Sequence, residues 1–172
     1  KYIDSKLYSD MHIIKLLQII IHNFESQYCT NNKEELRRVI ISHSNRVYRN
    51  AMIIVKHLEI KSHLYLSEYD IFILTIACLL HDIGKVYSDD DHNLYSTIIT
   101  EYLLSMDNNF NKQTTNEILE IIYFHNKKNK HKDDISILAK ILRDADLFDE
   151  ECGDSLYELL LSKVSNEKKS LN

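Results

Sequence analysis

The sequence predicts an all-α fold, and three observations carry that prediction. Proline is absent and glycine occurs only at Gly84 and Gly153, so the usual helix breakers are nearly missing. Ile, Leu and Lys are the most frequent residues, and Leu and Lys favour helix further. Apolar residues also recur every three or four positions through most of the 172 residues. A chain of this length buries a core in a single domain, here taken as residues 1–172, without help from disulfides or a structural metal.

The elements follow in order from that spacing. Ile3, Leu7, Ile14, Leu17 and Ile21 mark a first helix within residues 1–30, ended by the polar turn Thr30, Asn31, Asn32. A second helix starts near Glu34 with an apolar face of Leu36, Val39, Ile40, Val47, Ala51, Ile54 and Leu58, while His43, Arg46 and Asn50 form a polar stripe beside it. A third is capped by Ser67 with Asp70 three residues on, and runs through Ile71, Leu74, Ala77, Cys78 and Leu80 to His81 and Asp82, with Gly84 ending it.

After the acidic link Ser88 to Asp91, a fourth helix carries Leu94, Ile98, Tyr102 and Leu103 as far as Asp107 to Asn109. Thr114 or Thr115 would cap a fifth, holding Ile118, Ile121, Ile122 and His125 and followed by a basic loop from Lys127 to Lys132. Helices over 134–149 and 154–164 complete the domain, and the polar tail from Asn166 frays. No internal repeat is visible.

Charge and cysteine usage narrow the function. Twenty-one basic and 26 acidic side chains give a net charge of −5, which argues against a nucleic-acid binder. Cys29, Cys78 and Cys152 are odd in number and lack CxxC spacing, so a disulfide framework and a structural zinc site are both disfavoured and a reducing cytoplasm is expected. Cys78, within an apolar helix, reads as an inert core thiol. The apolar stretch Met11 to Ile21 includes His12, Lys15 and Gln18 and falls short of the roughly 20 residues a bilayer requires, so no membrane partner is expected.

Chemistry concentrates at His81-Asp82. An imidazole and a carboxylate closing the apolar run Ile76 to Leu80 would be costly to bury unless paired, and a divalent cation would pair both. Adjacent helical residues point about 100° apart, so they share an ion only where the helix ends. Other helices offer His43 and Asp146. Two imidazoles with two carboxylates suit Mn²⁺, Fe²⁺, Co²⁺, Ni²⁺ or Zn²⁺, with Mg²⁺ disfavoured because it prefers oxygen. Lys85 lies one turn after His81 and Arg46 one turn after His43, so both cations point toward this region, and Asp149 or Asp144 would orient water or ligand.

The segments His43-Ser44-Asn45-Arg46-Val47, Leu79-Leu80-His81-Asp82-Ile83-Gly84-Lys85 and Asp144-Ala145-Asp146-Leu147 resemble the HD superfamily of metal-dependent phosphohydrolases, over about residues 43–149. The resemblance implies a multi-helix HD-domain bundle in which His43, His81, Asp82 and Asp146 fill the four metal-ligand places. His92 and His125 match places that bind a second metal in some branches and contact substrate in others. It implies hydrolysis, by metal-activated water, of a phosphoester or phosphoanhydride in a nucleotide or related small molecule, with Asp82, Lys85 and Arg46 as catalytic residues.

Two other readings stand beside this one. A nuclease or cyclic dinucleotide phosphodiesterase would use the same metal, but net charge and the absence of proline count against them. A catalytically silent nucleotide-binding or sensor module is the reading from outside enzymology, and the four filled ligand places count against it. His12, His22, His57, His63 and His131 have no motif context and read as ordinary helix or surface residues. The basic loop Lys127 to Lys132 reads first as a solvated loop. The first helix is either part of the domain or a dimerisation element, and the second case predicts a homodimer.

Overall fold

Five α-helices and a short 3-10 helix build the residues that the computed structural model describes, 34–108, 110–126 and 135–150, with side chains described from residue 39 onward. They are α1 (Glu34–Ser62), α2 (Glu68–Leu80), the 3-10 helix Ile83–Val86, α3 (His92–Ser105), α4 (Lys112–Phe124) and α5 (137–150). The fold is all-α, as the composition and spacing predict. The expected helices over 1–30 and 154–164, the polar tail, the basic loop, and His12, His22, His131, Cys29 and Cys152 lie outside the described residues.

Helix α2 is the central element. Ile73 through Cys78 are buried in an unbroken run and Leu80 with them, so the helix is enclosed on all sides rather than presenting one apolar stripe. It packs against α1 and α4, and α3 packs in turn against α4 and the 3-10 helix. Val47, Ala51 and Val55 of α1, Ile118, Ile121 and Ile122 of α4, and Leu138, Ala139, Ile141, Leu142 and Ala145 of α5 close the core around it. Ser67 and Asp70 form the expected reciprocal cap: Ser67 Oγ accepts from the Asp70 N–H, and the Asp70 carboxylate accepts from the Ser67 N–H. Cys78 is free and fully buried, and burial pushes its thiol up. Among the described residues no helix is long and apolar enough to cross a membrane.

Several local expectations are corrected. Helix α2 ends at Leu80 instead of running through Asp82, leaving His81 as C-cap. Gly84 lies inside the 3-10 helix and does not end α2 through a left-handed turn; a Cβ there would come within 2.3 Å of the His92 carbonyl oxygen and 2.5 Å of the Ser96 nitrogen. Glycine is needed because the backbone of α3 lies against it. The residue that does take a left-handed conformation is His63, at φ 53°, just past the end of α1.

The α4 cap is Asn111, whose side chain accepts from the Thr114 N–H at 2.9 Å, while Thr114 and Thr115 sit within the first turn and are buried. Helix α5 starts at 137, not 134, and Ser136 Oγ accepts from the Ala139 N–H at 3.2 Å. Helix α3 departs most from expectation. Leu94, Ile98 and Tyr102 face outward, and Ser96, Ile99, Thr100, Leu103 and Leu104 face the core. Contact with Gly84 rotates the helix so that its His92–Ser96 side turns inward. Val39 on α1 is likewise exposed.

Candidate metal centre

Three helices bring the four expected ligand residues together. His43 lies in the middle of α1, His81 caps α2, Asp82 follows in the turn, and Asp146 projects from α5. One ligand atom from each falls within 4.8 Å of all the others. His43 Nε2 lies 3.0 Å from Asp146 Oδ1 and 3.2 Å from Asp82 Oδ2, and His81 Nε2 lies 3.5 and 3.6 Å from the same two oxygens.

These separations can be tested against a metal. Bonds of about 2.0–2.2 Å to imidazole and carboxylate imply ligand–ligand edges of about 2.8–3.6 Å, and the four nitrogen–oxygen separations of 3.0–3.6 Å fall within it. Beyond one another these buried atoms have no hydrogen-bond partner, except that Asp82 Oδ2 also meets Lys85 Nζ. Imidazole nitrogens and carboxylate oxygens crowded together out of water are costly to bury, and a divalent cation relieves that cost. The residues therefore fit a metal, and the mixed donor set suits Mn²⁺, Fe²⁺, Co²⁺, Ni²⁺ or Zn²⁺ better than Mg²⁺.

A second group shares Asp82. Asp82, His92 and His125 also offer ligand atoms within 4.8 Å of one another. Asp82 Oδ1 faces His92 Nε2 at 3.5 Å, while Oδ2 faces His43 and His81, so each carboxylate oxygen serves a different group. His125 stacks edge-on to His81 with ring centroids 5.0 Å apart, and its Nε2 is buried and unpartnered.

All four histidines present Nε2 to the cluster because Nδ1 is committed elsewhere. His81 Nδ1 donates to the Cys78 carbonyl at 2.8 Å, His92 Nδ1 to the Asp89 carbonyl at 2.6 Å, and His125 Nδ1 to the Ile122 carbonyl. A carbonyl can only accept, so Nδ1 carries the proton and Nε2 is left as the ligand. His81 and His125 are C-caps, and the carbonyls they use, three residues back, are among those a helix end leaves free. The positions of these two helix ends thus fix the imidazole orientations.

The charges respond to this crowding. Burial opposes ionisation of Asp82, yet His81, His43 and Lys85 outweigh it and hold the carboxyl far below the usual carboxylate range. Asp146 is held low in the same way by His43 and His81, against burial. Burial also opposes protonation of His43, but hydrogen bonds to Asp146, Asp82 and Asp149 raise it to about 10. His81 is raised by Asp82 and Asp146 despite full burial. His125 moves the other way, pushed by burial and by His81 down to about 4.

Lys85 lies beside the cluster, with Nζ 2.5 Å from Asp82 Oδ2 and part of its side chain open to solvent. The Arg46 guanidinium grips Asp149, with Nε to Oδ1 at 2.8 Å and Nη2 to Oδ2 at 3.0 Å, and also donates to Ser42. Asp149 is turned to His43, whose Nδ1 donates to it at 2.7 Å. Asp144 is exposed beside Arg143 and stands apart from the cluster.

Sequence reasoning missed Ser96, whose Oγ accepts from the Gly84 N–H at 2.8 Å and so ties α3 to the turn carrying Asp82. Its position four residues after His92, on the same helical face, was the available signal. Asn50, on the polar stripe of α1, donates to the Ala145 carbonyl at 3.4 Å and braces α5 beside Asp146.

The HD domain family model matches residues 40–151, well over half of the chain. The chain belongs to the HD domain family. No curated protein and no solved structure matches it. The matched region of this HD domain begins three residues before His43 and ends two after Asp149, so it contains both clusters and the residues that orient them. The family is one of metal-dependent hydrolases, and the His/Asp cluster of this member is able to hold a metal.

Proposed function

We propose that this HD domain hydrolyses a phosphoester or phosphoanhydride bond in a nucleotide or related phosphorylated small molecule. The observation that carries the reading is the convergence of buried ligand atoms of His43, His81, Asp82 and Asp146 from α1, α2 with its following turn, and α5. When bound there, a divalent cation supplies Lewis acidity toward a phosphoryl oxygen and makes hydroxide available near neutral pH.

The chain's own residues do the rest. Asp82 spends one carboxylate oxygen on each cluster and aligns them on a common centre. Lys85, partly open to solvent, offers a positive charge at the edge of the cluster, where a phosphate would be neutralised. His92 and His125 are assigned to a second metal or to substrate contact, and His125, kept neutral by burial, suits either. Net charge of −5 supports a small phosphorylated substrate over nucleic acid. The free, buried Cys78 agrees with a reducing cytoplasm.

Metal analysis of the purified protein, combined with release of phosphate or pyrophosphate from a nucleotide panel with added Mn²⁺, tests the proposal. Wild type is expected to bind metal and turn over, and Asp82→Ala to lose both to background, since Asp82 belongs to both ligand groups. Metal-free wild type without turnover would support the sensor reading instead.

A further inference from the structure

His43 differs from the other three histidines in how its ring is held. His81, His92 and His125 each use a backbone carbonyl three residues back. In the middle of α1 those carbonyls are committed to the helix's own hydrogen bonds, so His43 needs an acceptor from outside it. That acceptor is Asp149, 106 positions away on α5, at 2.7 Å from Nδ1.

Asp149 is itself held. Arg46, three residues after His43 and therefore on the same face of α1, meets both carboxylate oxygens of Asp149, at 2.8 and 3.0 Å. Asp149 is buried, with a side chain 5% exposed, so three N–H donors converge on two oxygens in a dry setting. We propose that Asp149, clamped by Arg46, is the positioning residue that aims His43 Nε2 into the metal cluster and keeps it a good ligand. Arg46 and Asp149 therefore act through His43, without touching substrate. The inference rests on the reading of His43, His81, Asp82 and Asp146 as metal ligands.

The isosteric variant Asp149→Asn isolates the effect. Asparagine offers one acceptor oxygen where three donors meet, and brings two N–H groups of its own into the same space. An outer partner of this kind is typically worth about 10–100-fold in metal affinity. Zn²⁺ affinity measured by chelator competition is expected to weaken by about that factor in Asp149→Asn, and less in Arg46→Lys, which keeps the charge but loses the two-point grip.

Imidazole ¹⁵N spectra of the Zn²⁺-loaded protein give the second readout. Wild type is expected to show a His43 Nδ1–H shifted downfield by its carboxylate partner, lost in Asp149→Asn while the His81 signals stay in place. A merely structural role would lower the thermal midpoint of the metal-free variant and leave Zn²⁺ affinity and the His43 signal unchanged; that result overturns the proposal. Unchanged affinity with wild type binding Zn²⁺ sinks the positioning role alone, whereas wild type that binds no Zn²⁺ sinks the metal reading with it.

Discussion

Gly84→Ala probes how tightly the turn carrying Asp82 is pressed against α3. The added methyl would sit 2.3 Å from the His92 carbonyl oxygen, 2.5 Å from the Ser96 nitrogen and 2.8 Å from Ser96 Oγ, where real contacts keep at least 3.0 Å. Two of the three atoms are backbone, so no rotamer change relieves the clash, and α3 must retreat by about 0.7 Å, the difference between 3.0 and 2.3 Å. Overpacking of a fixed site costs about 1–3 kcal/mol, and two backbone clashes place this case at about 2–3 kcal/mol. The thermal midpoint of a chain this size should fall by roughly 4–12 °C. His92 moves with the first turn of α3, whereas His43, His81 and Asp146 stand on other helices. Metal bound by those residues with Asp82 should therefore survive in Gly84→Ala, while any effect that depends on His92 is lost. Differential scanning calorimetry and metal titration read the two effects separately. An unchanged midpoint would refute the close-approach argument, and loss of all metal binding would refute the separation of the two groups.

Two further outcomes follow from single residues and from charge. His63 holds φ 53° without being glycine, so His63→Gly removes a left-handed penalty of about 1 kcal/mol and is expected to raise the midpoint in a thermal melt. The metal-free protein should be most stable near pH 6–7. His43, raised to about 10, stabilises fully below its unfolded value of 6.5 and loses that contribution as pH rises through 10. His125, lowered to about 4, costs stability as pH falls from 6.5 toward 4, because the unfolded chain takes up a proton that the folded chain refuses. The depressed carboxyls of Asp82 and Asp146 add stability above 3.8 that is lost only in stronger acid. Melts in chelator should show the midpoint falling from pH 7 to 9, and His43→Ala should flatten that slope. A midpoint that is level or rising over this range would contradict the charge assignment.

The residues that gather at the centre were legible in the sequence because each sits where a recognisable pattern places it. His81-Asp82 closes an apolar run, His43 lies on a polar stripe of an amphipathic helix, and Asp146 lies in the next acidic motif. Their partners were less legible, because spacing records which residues share a helical face but not which face meets which helix. Arg46 lies one turn from His43 as the spacing places it, yet its partner depends on the rotation of α5, which brings Asp149 to its guanidinium. The same limit explains α3. Its apolar row Leu94, Ile98, Tyr102 satisfies helical periodicity as well as the row that is buried, and the choice between them is made by Gly84 and Ser96. A glycine read as a helix stop by local rules is here a contact point between two elements. The hydrogen bond from Gly84 to Ser96 ties α3 to the turn in the orientation in which His92 faces Asp82, and what looked like punctuation in the sequence joins the second group of ligands to the first.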